Sequence, residues 1–195
     1  LHGPDILFYN SPLIPNKVNK LGRETHYSDG EKVFKEAWEN VCAHDGNPMY
    51  MAYIYGYLCH FALDSMCHGY VRTLSDKGPV GHHEIEMEFD RMLMVDDGLD
   101  PIKYDLTRHI VPSVRNAAVI SSFFAGISAQ DVSKSLISMK YYIDFLRMPD
   151  GAKRKVVLGA FKLSGHYRKL KGFVMSLKPN PQCDESNRRL LELFY

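Results

Sequence analysis

The sequence has little cysteine, one tryptophan and almost no net charge. Four Cys in 195 residues are too few for a disulfide scaffold and favour a reducing, cytoplasmic compartment. The 24 Lys and Arg nearly balance the 23 Asp and Glu, which argues against a stably bound nucleic-acid partner. The longest uncharged stretch, residues 46–63, contains Pro48, four Tyr and His60, which indicates a buried helix and no transmembrane segment.

Internal repeats and the alternating pattern of β-strands are also lacking, whereas helical periodicity dominates. The fold class is therefore predicted to be all-α, in a single helical domain over residues 1–195. The chain starts with Leu1 and stops within an apolar run, so we expect natural termini beyond both ends. Residues 1–30 read as an irregular segment because Gly and Pro recur there. Helices are predicted over residues 31–42, 48–71, 82–95, 105–125, 128–146 and 184–195.

The strongest chemical motif is a stripe of three metal-binding side chains in the second predicted helix. His60, Asp64 and His68 are spaced i, i+4, i+8, so they lie within about 80° on one side of the helix. The opposite side is expected to pack into the core, through Met51, Tyr55, Leu58, Ala62 and Met66. A buried ion-pair network is the alternative reading of the stripe.

The next predicted helix repeats this spacing with His82, Glu86 and Asp90. If the two helices pair antiparallel across the broken loop at residues 72–81, His68, His82 and Glu86 converge. Two imidazole nitrogens and a carboxylate form a ligand set that zinc accepts, with a position open for water. His83 is assigned to the surface or to a supporting contact because only His82 is four residues from Glu86.

Two further candidates, Asp5 and His26, lie in the irregular N-terminal segment. Their alternative roles are a turn or N-cap residue for Asp5 and a solvated loop residue for His26. Cys67 lies on the metal-facing stripe, where it either packs as a small residue or binds zinc.

Residues 152–172 carry a local excess of positive charge, which comes from Lys153, Arg154, Lys155, Lys162, Arg168, Lys169 and Lys171. This segment is interpreted as a solvated surface, and docking to an anionic lipid surface is the alternative.

Four motifs together resemble the zinc-dependent phospholipase C family, an all-helical group of bacterial enzymes that is related to the P1-type zinc nucleases. They are Gly3-Pro4-Asp5-Ile6, His26-Tyr27-Ser28-Asp29, Tyr57-x2-His60-x3-Asp64-x3-His68 and His82-x3-Glu86. The resemblance covers residues 3 to about 95 and implies a multi-helix bundle of the phospholipase C and P1 nuclease type.

The resemblance also implies zinc ligands. His26, His60 and Asp64 match the first site, and Asp5 matches an aspartate that approaches the same metal and is a proposed general base. His68, His82 and Glu86 match the second site. The third site of the family uses the N-terminal amine and a helical histidine, and nothing before Leu1 supplies them, so two zinc ions are expected; His2 is a conceivable substitute ligand.

The function that follows is hydrolysis of a phosphate ester by metal-activated water, with a phospholipid or a soluble phosphodiester as substrate. A nuclease of the same fold is one alternative. A non-catalytic helical protein with a structural metal site is the other. The oligomeric state does not follow from the residues.

Overall fold

A computed structural model of the chain describes residues 2–194, and these are mostly helical, with the longest connection at residues 97–113. Three 3-10 helices cover Gly3–Tyr9, Lys171–Phe173 and Pro181–Cys183. The described residues contain no strand, only an isolated bridge between Arg147 and Met175, so the all-α prediction is confirmed. The α-helices are α1 (Lys17–His26), α2 (Gly30–Ala43), α3 (Pro48–Lys77), α4 (His82–Asp96), α5 (Val114–Ser121), α6 (Ala129–Leu146), α7 (Ala152–Leu163), α8 (Tyr167–Leu170) and α9 (Asp184–Phe194).

The chain divides into two compact units. The first unit contains the described residues up to Ser65 together with Thr107–Tyr142, and the second contains Met66–Leu106 and the described residues from Ile143 onward. The boundary at Ser65 falls within α3. The single domain over residues 1–195 stays a prediction, and Tyr195, which was assigned to the last helix, lies outside the described residues.

The core of the first unit consists of two apolar clusters. One is built on Leu7, Val18 and Phe124, and the other on Ala37, Val41 and Ile54. Leu7 belongs to the 3-10 helix Gly3–Tyr9 and Val18 to α1, so burial of apolar surface fixes these two elements to each other.

The prediction of an irregular segment over residues 1–30 is wrong, because α1 occupies Lys17–His26. Asn16 caps this helix: its side-chain oxygen accepts hydrogen bonds from the backbone N–H groups of Val18 and Asn19, at 3.0 and 3.1 Å. The Asn19 side chain accepts in turn from the Asn16 N–H at 3.1 Å, which completes a capping box. The pattern Asn16-x2-Asn19 was the available signal for a helix start.

Met51 packs on the cluster built on Ala37, Val41 and Ile54, as predicted, but the rest of the predicted packing side of α3 is wrong. Its members Tyr55, Leu58 and Met66 are 58%, 46% and 62% exposed. The buried residues are instead Ile54 and Tyr57. Tyr57 precedes His60 by three residues and therefore lies on the same side of the helix. In the first unit, the side of α3 that packs against the core is therefore also the side that carries His60.

Two further helices differ from the prediction. The helix expected over residues 105–125 covers only Val114–Ser121, since Pro112 disfavours helical backbone at the residue before it and Ser113 caps the new start. The Ser113 hydroxyl accepts from the Asn116 N–H at 3.1 Å. The helix α7 was not predicted. Ser128 and Asp131 form a cap at the start of α6, with the Asp131 N–H donating to the Ser128 hydroxyl at 3.1 Å.

The second unit packs α4 and α9 around one apolar cluster, formed by Val71, Val80, Ile85, Phe89, Cys183 and Leu190. All four cysteines are free thiols. None of the described helices combines the length and the apolar character that a membrane span requires.

The cap of α1 generates a stability prediction. Replacing Asn16 by Ala removes the acceptor for two N–H groups, so the free energy of unfolding should fall by about 1 kcal/mol, as measured by urea denaturation. Asn16→Asp keeps the acceptor oxygen but loses the side-chain N–H bonds to the Asn10 and Ile14 carbonyls. If Asn16→Asp is as destabilised as Asn16→Ala, this region is stabilised by the side-chain N–H bonds to the Asn10 and Ile14 carbonyls and not by the helix cap.

Candidate metal centres

The first unit brings Asp5, His26 and His60 together. Each offers one ligand atom, and these atoms lie within 4.8 Å of one another. The Asp5 carboxylate contacts both rings, with Oδ1 at 2.9 Å from His26 Nε2 and Oδ2 at 3.8 Å from His60 Nε2. The three residues come from the 3-10 helix Gly3–Tyr9, the end of α1 and α3.

The orientation of His26 is set by its own helix. His26 is the last residue of α1, and its Nδ1–H donates a hydrogen bond to the Gly22 carbonyl oxygen at 3.0 Å. This bond leaves Nε2 as the atom that faces Asp5. A histidine that donates through one ring nitrogen to a carbonyl and presents the other is a common arrangement at metal sites.

The position of Asp5 depends on a close approach at Gly3. Gly3 has a positive φ of 47°, and a Cβ atom there would lie 2.8 Å from the His60 ring and 2.8 Å from the Tyr57 ring. Only glycine therefore allows this segment to lie against α3. The contact holds Asp5, two residues later, beside His60.

Asp64 lies one turn after His60 on α3 and is half-buried. Its negative charge contributes to raising the pKa of His26, although the hydrogen bond with Asp5 is the largest cause and burial opposes the shift. Asp64 is not one of the three residues whose ligand atoms converge. Its role as a metal ligand stays a prediction.

The second unit brings His68, His82 and Glu86 together, again with ligand atoms within 4.8 Å of one another. The His68 and His82 rings have centroids 4.6 Å apart. His82 and Glu86 lie on the first turns of α4, with Nε2 and Oε1 2.9 Å apart. The sequence grouped these same three residues, whereas Asp90, one turn further along α4, lies on the exposed surface.

His83 supports the second group. Its Nδ1 lies 3.2 Å from Glu86 Oε2, so His83 and His82 contact different oxygens of one carboxylate. Burial raises the pKa of Glu86, but the hydrogen bond from His83 and the charges of both histidines outweigh burial and lower the pKa overall. The His83 ring in turn packs on Phe173, at 4.1 Å between ring centroids. This chain of contacts orients the Glu86 carboxylate.

The donor atoms of the second group suit a zinc ion. His82 Nε2 is buried and lies 2.9 Å from Glu86 Oε1, and it has no other polar partner among the described residues. Burial also lowers the pKa of His82, which favours the neutral ring that ligates metal. A neutral imidazole nitrogen beside a carboxylate oxygen is a pair of donor atoms that a zinc ion accepts.

His2, the proposed substitute ligand of a third site, contacts His109. His2 Nε2 lies 2.7 Å from His109 Nε2, and the sequence did not point to His109. Burial first, and the charge of His109 second, lower the pKa of His2 to about 4. The sequence offers no signal for this pair, because 107 residues separate its members.

Comparison with known proteins identifies one family. The sequence model of the family described as zinc dependent phospholipase C matches residues 3–137, a range that contains all six converging residues. No curated protein and no solved structure matches the chain.

The close approach at Gly3 generates the second prediction. In Gly3→Ala the new Cβ would overlap the His60 and Tyr57 rings, so zinc affinity of the first group should fall at least tenfold, as measured by competition with a zinc-binding dye. Gly46→Ala is the matched control in the same unit, since Gly46 has φ of 65° but open space around its Cβ position. Equal loss in both variants would trace the effect to backbone strain and not to the contact with α3.

The third prediction concerns the protonation of the metal-free protein. Histidine C–H signals in an NMR titration should place the pKa of His26 above 6.5, because of its bond to Asp5, and that of His82 below 6.5, because of burial. On lowering the pH, His26 should therefore take up its proton before His82. The reverse order would show that the arrangement of the two groups differs from the one described.

Proposed function

The chain belongs to the zinc-dependent phospholipase C family, and we propose on that premise that it hydrolyses phosphodiester bonds with zinc held by both groups. The observation that carries the proposal is the convergence of two sets of His and carboxylate side chains within the matched residues. Both sets have the nitrogen and oxygen donors that zinc accepts.

The proposed zinc ligands are the members of the two groups, with Asp64 added to the first. His26, His60 and Asp64, with Asp5 approaching, would hold the first zinc, and His68, His82 and Glu86 the second. Zinc, when bound, lowers the pKa of a coordinated water and neutralises negative charge on the phosphate oxygens. Gly22 and His83 would orient the ligands His26 and Glu86 through the bonds already described.

Asp5 is proposed to accept a proton from the attacking water. Its carboxylate lies at His26 and His60 and keeps a side-chain exposure of 36%, so water reaches it. One water proton would move to an Asp5 carboxylate oxygen as the water oxygen bonds to phosphorus. The phosphorus bond to the leaving oxygen then breaks, and that oxygen takes up a proton.

The fourth prediction tests this assignment with variants of α3. His60→Ala and Asp64→Asn should each lower kcat/KM on a soluble phosphodiester at least 100-fold, with helical content unchanged by circular dichroism. Lys32→Ala on α2 is the control, since Lys32 is a surface residue whose one ion pair among the described residues is with Glu36. Unchanged activity in Asp64→Asn would contradict its proposed role.

Zinc content separates this proposal from a structural metal site. Mass spectrometry of tag-free protein should find two equivalents of zinc, and a chelator should abolish hydrolysis reversibly. If chelation lowers the melting temperature but the loaded protein cleaves no phosphodiester at any pH, the chain is a non-catalytic zinc protein.

A nuclease of the same chemistry is the second candidate, and one residue favours it. Tyr27 directly follows His26 and is 85% exposed, so its ring is available to stack on a base. Short-chain phosphatidylcholine and single-stranded DNA are the substrates to compare. A phospholipase should prefer the lipid and tolerate Tyr27→Ala, whereas a nuclease should cleave DNA and lose that activity in the same variant.

A further inference from the structure

We infer that α7 and α8 form a docking surface for an anionic phospholipid bilayer. This inference goes beyond the proposed function, which needs only a phosphodiester and not a membrane. Both helices lie after residue 137, where the family match ends.

The segment between Asp150 and Asp184, which contains α7 and α8, has no acidic side chain to balance its positive charge. It carries eight cations, namely Lys153, Arg154, Lys155, Lys162, Arg168, Lys169, Lys171 and Lys178. The overall balance of 24 cations and 23 anions means that this excess is local.

Three of these cations have structural ion pairs. Arg154 and Lys178 contact Asp150, and Lys171 contacts Glu84 at 3.0 Å. The other five, Lys153, Lys155, Lys162, Arg168 and Lys169, are exposed and form no ion pair with any residue that the structure describes. Lys153 and Lys162 lie over the Phe145 and Tyr167 rings of the same chain, with Nζ 4.8 and 5.1 Å from the ring centroids. No carboxylate among the described residues pairs with any of the five, so all five contribute to a positive surface that can bind an anionic partner.

The exposed side of α7 has an apolar centre. Val156 and Leu163 are 71% and 92% exposed, and at 100° per residue they lie about 20° apart on the helix. Lys155 and Lys162 flank this stripe on one side, and Lys153 flanks it on the other. An apolar stripe between lysines is the pattern of a helix that lies in the interface of a bilayer, with its apolar residues below the headgroups.

The opposite side of α7 rests on the protein. The Arg154 guanidinium donates a hydrogen bond to the Met175 carbonyl oxygen at 3.0 Å and pairs with Asp150. Phe161, seven residues later and on the same side as Arg154, is half-buried. The helix is therefore held with its Val156 side outward.

The surface is fixed to the helix that carries the second metal group. Gly172 follows α8, and a Cβ atom there would lie 2.8 Å from the Glu84 backbone nitrogen, so the chain passes directly against the start of α4. Phe173 packs on His83, which contacts Glu86. A bilayer bound at α7 and α8 would thus be held by the unit that contains His68, His82 and Glu86.

The apolar centre favours lipid over nucleic acid or an acidic protein. Phosphate backbones are bound by cations and polar groups, and exposed Val and Leu side chains at the centre of the surface would gain nothing from them. Burying the same two side chains among acyl chains is favourable.

Vesicle co-sedimentation of the zinc-loaded full chain tests the inference. The protein should bind vesicles of equal parts phosphatidylglycerol and phosphatidylcholine, and pure phosphatidylcholine at least tenfold more weakly. Lys155→Glu with Lys162→Glu should lower the affinity for the anionic vesicles at least tenfold. Val156→Ser with Leu163→Ser should lower it by a similar factor and make the remaining binding more sensitive to salt.

The matched controls make the same two kinds of substitution at exposed positions outside α7 and α8. Lys20→Glu with Lys32→Glu alters the net charge equally at two exposed lysines of α1 and α2, and Leu13→Ser with Val114→Ser removes two exposed apolar side chains. Both controls should keep vesicle binding. Equal loss in the controls, binding of heparin with no binding of vesicles, or dissociation of a dimer by Val156→Ser with Leu163→Ser would overturn the inference.

Hydrolysis of a water-soluble phosphodiester is measured on the same proteins. The α7 variants should keep this activity, since they lie outside both metal groups. A protein that binds anionic vesicles but cleaves no diester would contradict the proposed function alone, and one that cleaves the diester but binds no vesicles would contradict the docking surface alone.

Discussion

The contact of Gly3 with α3 is the constraint on which the first candidate metal group depends. With no side chain and a left-handed backbone, Gly3 lets the N-terminal 3-10 helix lie on the Tyr57 and His60 rings. Asp5 then reaches His60, and the same 3-10 helix packs against α1, whose last residue is His26. One close approach thus joins residues that lie more than 50 positions apart in the chain.

The second candidate metal group is organised differently, because residues outside the group hold its carboxylate in place. Glu86 is held between His82 and His83, His83 packs on Phe173, and the chain at Gly172 lies against the backbone of α4. The first group uses one carboxylate to bridge two rings from separate elements. The second instead places a histidine and a carboxylate one turn apart on one helix and leaves a buried nitrogen, His82 Nε2, without a hydrogen-bond partner among residues 2–194. This nitrogen and the Glu86 carboxylate are donor types that zinc accepts, which makes the group a candidate metal centre.

Most residues of the candidate site were predictable from the sequence, but the helices and the packing around them were less predictable. Helical spacing placed His60, Asp64 and His68 on one stripe and His82 and Glu86 on another, and motif resemblance added Asp5 and His26. The helix that carries His26 was missed because Gly and Pro in residues 1–30 outweighed the Asn16 cap. The packing side of α3 was assigned wrongly because Tyr57 and His60 share a side, and hydrophobic periodicity does not distinguish a side that only packs from one that both packs and ligates.

The helical class, the spacing of the candidate ligands, the family and the cation-rich stretch after Asp150 all follow from the sequence. These properties depend on residues within a few positions of one another or on composition, so they can be read without coordinates. The tertiary structure alone decided that Asp5 meets both His26 and His60, that His109 meets His2, and that Val156 and Leu163 point outward between lysines. Each of these depends on contacts between distant segments, and such contacts are set by packing, which local periodicity does not encode.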